Sequence, residues 1–338
     1  MLRVCVIGMG PIGNRHADIY ADSQLAELVG VCDTDITRAN NASERLGVPA
    51  FSDAQRMLDE LKPDVVSVAT GGYEYGSDHH APTLQALQAG CHVLGEKPIS
   101  NDIGQAEEMV ARAREANLCY GIDLNHRFTP AAARAREWVD QGRLGEINII
   151  NMTMWINNPR ETSPWFHLRA LHPHSIDVMR YFCGDVEKVQ AFCKRGTDKD
   201  GNRRVCWSNA QINMLFKDGT VGSLTGSYDA TGPGGSYGLE RLEVVGSDAR
   251  FVLEEACEHL HFHPRRSMEL EQYDYIGGMM GFNETFQSRI GRWIEQNLED
   301  ASPEDIEGSG EEALKAQMVI EAAINSWETD SVVVVEEP

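Results

Sequence analysis

Three groups of residues have the types and spacing to do chemistry. Lys97 stands in Glu96-Lys97-Pro98, directly after the apolar run Cys91 to Gly95. A lysine at such a strand end can hold a substrate hydroxyl and stabilise the alkoxide that develops as its proton leaves. Taken alone, it is more often a surface charge. His174 and Asp177 lie at i and i+3 of a helix-like segment, so the carboxylate can sit beside the imidazole and favour its charged form. Abstraction of an alcohol proton near neutrality suits histidine, whose ordinary pKa is about 6.5. By itself the pair is equally a structural one. The third group, His259-x-His261-x-His263, puts three imidazoles on one strand face, with Cys257 on the same face. Its spacing matches no familiar zinc site, so an exposed strand face without metal is preferred.

A cofactor is written at the other end of the chain. The apolar run Val4 to Ile7 leads into Gly8-x-Gly10-x-x-Gly13, a helix-like segment follows over Asn14 to Ala21, and a second apolar run, Leu28 to Cys32, ends on Asp33. This is a βαβ unit with the dinucleotide fingerprint. Gly8 allows the tight turn, Gly10 lets the backbone approach a pyrophosphate, and Gly13 lets helix and strand pack closely. The helix start, with Pro11 and Ile12, offers amide groups and a positive dipole end to the phosphates. Asp33 can accept both ribose hydroxyls of NAD and would repel the extra phosphate of NADP, a preference that Arg38 could soften. Thr34, Thr70, Glu96 and Lys97 complete the expected cofactor contacts. The cofactor is thus NAD, with NADP possible.

The elements that must position these groups follow in order. After Asp33 the pattern continues as helices Asp35 to Leu46 and Asp53 to Leu61, a strand Asp64 to Thr70, a polar aromatic loop, a helix Pro82 to Ala89, the strand Cys91 to Gly95, a helix capped near Asp102 and running to Asn117, and the strand Leu118 to Ile122. Repeated β-then-α with short loops argues a doubly wound parallel sheet of the Rossmann kind over residues 1–124. From 125 to 338 the rhythm changes. A helix covers Ala131 to Gln141 and another Pro173 to Tyr181, and hairpin-punctuated strands fill most of the rest. The spacing predicts an α+β domain with an open, mostly antiparallel sheet, serving substrate binding and oligomerisation. Two helices, Gly281 to Leu298 and Glu311 to Trp327, joined by an acidic surface loop, and then a strand, Ser331 to Val335, close the chain.

Composition excludes several partners. Against 30 Lys and Arg stand 52 Asp and Glu, a net charge of −22, which makes nucleic acid and anionic membranes poor partners. No run approaches a membrane span and no signal-peptide pattern opens the chain, so a cytoplasmic location is expected. The eight cysteines are scattered without a CxxC and read as buried reduced thiols.

Taken together, GMGPIGNRH at 8–16, GEKPIS at 95–100, NHRFTP at 125–130 and HPHSIDVMRYFCG at 172–184 resemble the glucose-fructose oxidoreductase and myo-inositol dehydrogenase family. The resemblance implies that Lys97 lies between nicotinamide and substrate, that the peptide bond before Pro98 is cis, and that His174 is the proton acceptor, with Asp177 following it. It implies oxidation of a secondary hydroxyl on a sugar, cyclitol or related polyol by hydride transfer to nicotinamide. Two features depart from the family. Ala170 and His172 stand where many members carry an acid and a glycine, so His172 alters substrate contacts or shares the proton relay. The loop after Thr70 is also longer than the common form, which offers Tyr73, Glu74 and Tyr75 to a pocket. Asn125, Arg127, Trp155, Trp165, Arg169, His172 and His174, with Lys97, are the expected substrate-binding residues, and Tyr228 and Tyr237 could stack on a sugar. Two rival readings stay open: an NAD-dependent glycosidase that oxidises, eliminates and rehydrates, and a non-catalytic NAD-dependent sensor. The open sheet leaves an apolar face to cover, hence a homodimer or homotetramer.

Overall fold

The computed structural model describes residues 1–230, 239–255, 258–278 and 281–338. Tyr237, Cys257 and most of the glycine-rich connection after Tyr228 lie outside the described residues. The chain divides into two compact units, 1–123 with 286–314, and 124–285 with 315–338.

The first unit alternates strand and helix: β1 (Leu2–Ile7), α1 (Pro11–Asp22), β2 (Ala26–Cys32), α2 (Ile36–Leu46), β3 (Ala50–Phe51), α3 (Ala54–Leu61), β4 (Val65–Val68), α4 (His80–Gln88), β5 (His92–Gly95), α5 (Ile103–Glu115) and β6 (Tyr120–Ile122). The sheet is parallel, in the order β3-β2-β1-β4-β5-β6. Helices on both faces of such a sheet require strands that are buried throughout, as Val4 to Ile7 and Val65 to Val68 are, the latter apolar except for Ser67. Side chains of Asp35, Asp53 and Asp102 accept backbone N–H groups one turn into α2, α3 and α5 and set where those helices begin. The strand order reverses between β1 and β4, which places the loops after these strands at the switch point where doubly wound sheets bind ligands.

A division at residue 124 accounts for only part of this unit. Ile290, Trp293, Ile294 and Ile306 bury themselves in the same core as Val4, Val6, Val65 and Leu94, and the Arg289 Nε donates to the carbonyl of Ile122 at 2.9 Å. The expected acidic surface loop over 299–310 thus includes a buried anchor, Ile306, beside its exposed acids.

The second unit contains α6 (Pro130–Asp140), β7 (Ile147–Trp155), α7 (Phe166–Cys183), β8 (Val186–Lys194), β9 (Asn209–Phe216), β10 (Val221–Ser227), β11 (Leu239–Gly246), β12 (Ala249–Glu254), β13 (His259–Pro264) and β14 (Glu271–Asp274). After α8 (Phe282–Leu298), whose later part belongs to the first unit, α9 (Gly310–Thr329) returns the chain here and β15 (Val333–Val334) ends it. The nine strands run β14-β13-β12-β11-β7-β10-β9-β8-β15, antiparallel except for the parallel pair β7 and β10. Alternation sorts the two faces. Ile150, Met152 and Met154 pack inward with Trp138, Phe182 and Ile320 of the helices. Their neighbours in register on the other face, Ile149, Trp155, Phe192 and Val221, are 42%, 38%, 50% and 55% exposed.

Helix α7 begins seven residues before the expected start at Pro173, which is inside it. Nearly all its side chains are buried, so its hydrophobic pattern has no polar face to mark its limits. Among the described residues no helix is long and apolar enough to cross a membrane.

Candidate functional site

The glycine turn is built as its residue types require. Gly8 has φ +94°, and a Cβ there would lie 2.7 Å from the backbone nitrogen of Thr70. A Cβ on Gly13 would overlap the carbonyl of Gly8, whereas one on Gly10 would meet nothing within 4 Å, so the turn is open on the side where a pyrophosphate would lie. Gly10 caps α1 without any side-chain hydrogen bond, so the first-turn amides of Ile12 and Gly13 point outward from a Pro11 start. Asp33 follows β2 directly. Its Oδ2 accepts the N–H of Met9 at 2.7 Å and its Oδ1 the N–H of Asp35 at 2.8 Å, which fixes a carboxylate at the edge of the turn with lone pairs remaining for ribose hydroxyls. This arrangement fits a dinucleotide: Gly8, Gly10, Gly13 and the α1 amides would hold the pyrophosphate and Asp33 the adenosine ribose. Thr34 is exposed, and Arg38 is 60% exposed with its guanidinium 3.5 Å from Asp35.

Thr70 and Lys97 come from neighbouring strand ends, β4 and β5. The Thr70 hydroxyl donates to the carbonyl of Asp78 at 2.7 Å. His79 bridges the loops, with Nε2 3.0 Å from the carbonyl oxygen of Thr70 and Nδ1 2.8 Å from that of Pro98. The Lys97–Pro98 peptide bond is cis. Burial lowers the Lys97 pKa from the ordinary lysine range, with Glu96 and Asp123 opposing the shift. Beneath it, His16 on α1 places Nε2 3.1 Å from Glu96 and 3.2 Å from Asp123, with Nδ1 2.7 Å from the Ser67 hydroxyl. Burial alone would lower the His16 pKa, but the two carboxylates raise it to about 9. Glu96 is held below the ordinary range because His16 and Lys97 outweigh its burial, whereas burial keeps Asp123 above its own. His16, His79 and Asp123 escape a reading by motif. The one available signal is a histidine three residues past Gly13.

The polar aromatic loop contributes less than its composition suggests. Tyr73 and Tyr75 are 68% and 52% exposed, and the buried Glu74 accepts a hydrogen bond from Asn101 Nδ2 at 2.9 Å.

In the second unit α7 presents His174, which is 5% exposed, against the ring of His126, stacked at 4.6 Å with an 8° interplanar angle. His126 Nδ1 lies 2.8 Å from Glu240. Asp177 is fully buried and bound by Arg127, through Nε at 2.7 Å and through Nη2. The guanidinium expected on the substrate is therefore engaged with this carboxylate and lies over the Tyr181 ring at 5.2 Å. Arg169 is likewise paired, with Glu321 at 2.8 and 2.7 Å. The Asn125 Nδ2 donates to Thr285 at 2.7 Å.

Other expected substrate contacts fall elsewhere. Trp155 is on the outer face of the sheet, opposite the face on which α7 packs, because it alternates with the inward Met154. Trp165 is partly buried and stacks on Trp207 at 5.9 Å, and the buried Tyr228 packs on Phe166 at 5.5 Å. His172 is fully buried, 3.1 Å from Ser175 Oγ and 3.1 Å from His167 Nε2, above Gly226 of β10. Both its ring nitrogens are engaged inside the unit, which removes it from the expected substrate surface. Of the histidines on β13, His259 pairs with Asp274 at 2.7 Å, and His261 and His263 stand 6.4 Å apart. The seven described cysteines are buried free thiols.

Comparison with known proteins supplies the frame for these groups. Residues 2–124 match the oxidoreductase family with an NAD-binding Rossmann fold, and residues 132–252 match the GFO/IDH/MocA C-terminal domain. The chain is 40% identical over 228 residues to D-glucoside 3-dehydrogenase of Escherichia coli, an alignment covering 63% of this chain and 64% of that protein. It is 26% identical over 267 residues to myo-inositol 2-dehydrogenase of Thermotoga maritima, covering 76% of each. Levoglucosan dehydrogenase in complex with NADH and levoglucosan shares the fold, with TM-score 0.87 at 20% identity across 100% of both chains. Carrying both domain signatures in order along its length, the chain belongs to the GFO/IDH/MocA family of NAD-binding oxidoreductases.

Proposed function

We propose that the protein is an NAD-dependent dehydrogenase that oxidises a secondary hydroxyl of a hexopyranoside or related polyol. The observation that carries this reading is the half-buried Lys97, at the carboxyl end of β5 in a chain whose glycine turn and Asp33 fit NAD. The sugar class is suggested by the D-glucoside 3-dehydrogenase relative, 40% identical over 228 residues.

In this reading the residues divide the work. His174 accepts the hydroxyl proton, and the Lys97 ammonium stabilises the charge that grows on the oxygen. Bound NAD+ supplies the hydride acceptor. Arg127 holds Asp177 within α7 and so fixes the backbone from which His174 projects. Asp33 favours NAD over NADP, because a 2′-phosphate would meet a carboxylate already fixed by two backbone amides. The exposed outer sheet face around Ile149, Phe192 and Val221 is proposed as the self-association surface.

The test is NADH formation against a panel of alkyl glucosides, free hexoses, levoglucosan and inositols. Turnover of a hexopyranoside well above the inositols is expected. Absence of turnover with every alcohol, despite tight NAD binding, would remove the enzymatic reading.

A further inference from the structure

We propose that His16 is a positioning residue for Lys97: by satisfying the buried carboxylates of Glu96 and Asp123 together, its imidazolium keeps the Lys97 ammonium from being drawn onto them and directed at the substrate oxygen instead. The inference rests on the role proposed for Lys97.

The geometry is that of one cation shared by two anions. His16 is fully buried, and its Nε2 is almost equidistant from Glu96 Oε1 and Asp123 Oδ2, at 3.1 and 3.2 Å. Carboxylate oxygens only accept, so this nitrogen carries a proton. Nδ1, 2.7 Å from Ser67 Oγ, has a partner able to accept a second one. Glu96 and Asp123 are 6% and 1% exposed, and an ion pair out of water is stable only when its charges are matched. The remaining Asp123 oxygen, Oδ1, is buried without a hydrogen-bond partner and stands as an attractor for any nearby cation.

Every element around this point supplies a group. From α1 come Tyr20, which is buried, and Arg15, which lies over the Phe286 ring; from β4 comes Ser67, from the end of β5 Glu96 and Lys97, and from the end of β6 Asp123. The later part of α8 adds the Phe286 ring edge and Arg289, which is bonded to the carbonyls of Ile122 and Gly308. With His16 uncharged, two like carboxylates would face each other, and Lys97 is the lysine next in chain to one of them. The same histidine also ties α1, which begins at the glycine turn, to three adjacent strands.

The test uses the full chain with NAD+ and its best alcohol substrate. In His16→Gln the amide can still donate two hydrogen bonds but has no charge. At pH 6 a proton taken up by the carboxylate pair replaces the lost charge, and kcat falls about threefold; at pH 9 the bare pair captures Lys97 and kcat falls about a hundredfold. KM for NAD+ changes less than about threefold, because the glycine turn is untouched. Adding Asp123→Asn to His16→Gln removes the surplus anion and restores kcat at pH 9 to within about fivefold of wild type. A wild-type to variant ratio independent of pH, with no rescue, would show a merely structural histidine and overturn the proposal.

Should the variants not fold, nitrogen NMR of the eleven histidines decides. An imidazolium persisting at pH 8 is expected, and a fully neutral set overturns the inference. Lys97→Ala separates the two levels. If it leaves kcat unchanged, the Lys97 role and this inference fall together; if it abolishes turnover while the His16→Gln ratio stays flat, only the inference falls.

Discussion

Two histidine sites in this protein are equally buried and electrostatically opposite. His16 in the first unit lies between Glu96 and Asp123, and its pKa is raised to about 9. His167 in the second unit faces His172 and the carbonyl of Trp207; burial lowers its pKa to about 4, and His172 is lowered well below its ordinary value. Removal from water penalises the charged form in both places, so the difference lies in what opposes it. Two carboxylates outweigh burial and hold His16 charged, whereas burial prevails at His167 and, reinforced by His167, at His172.

The contrast can be broken most forcefully at Lys97. Lys97→Ala is expected to lower kcat by about 10²- to 10³-fold in steady-state NADH formation, the loss typical of one group at a developing oxyanion. His174→Asn, which removes the proposed base while keeping a polar side chain, should lower it by about 10²-fold or more, measured the same way. A variant of either residue that retains full turnover would detach the chemistry from these side chains.

Asp33→Ser sharpens the cofactor side. Loss of the carboxylate should raise KM for NAD+ by about tenfold and narrow the preference over NADP+, read as the ratio of kcat/KM for the two cofactors. An unchanged ratio would remove the selecting role of Asp33.

A further prediction concerns stability against pH. The His16 pKa is raised from its unfolded value, so its stabilisation is complete below about pH 6.5 and is lost as pH rises through about 9. The His167 and His172 values are depressed, so their stabilisation is present above about pH 6.5 and is lost as pH falls towards about 4. Thermal unfolding between pH 4 and 10 should therefore show acid loss in the second unit and alkaline loss in the first, with tryptophan emission from Trp207 and Trp293 separating them. In the smallest expected effect, Gly226→Ala sets a methyl group against the His172 ring and costs about 1–3 kcal/mol. A melting temperature unchanged from wild type would show that the ring yields freely.

Much of the first unit was legible because its signals are local. The caps Asp35, Asp53 and Asp102 act two or three residues ahead, and the glycines serve backbone positions fixed within one turn. The start of α7 differs from the sequence expectation because proline ordinarily marks a first turn, whereas burial on nearly every side holds Pro173 mid-helix. Residue type alone points Trp155 to substrate, yet the period of two along β7 turns it to the outer face. The sequence places Arg127 and Arg169 among the substrate-binding residues; their carboxylates come from α7 and α9, at sequence separations that no local pattern records.

By itself the sequence determined that a glycine turn, an acid at the end of β2 and a lysine after β5 would be presented by a parallel sheet, because strand, turn and helix propensities act over a few residues. Only the tertiary structure decided that Trp293 and Ile306 complete the first core and that His16 meets Glu96 and Asp123. It also decided that Asp177 is taken by Arg127. Burial and charge pairing depend on groups distant in the chain, and their strength is set by the water they exclude together.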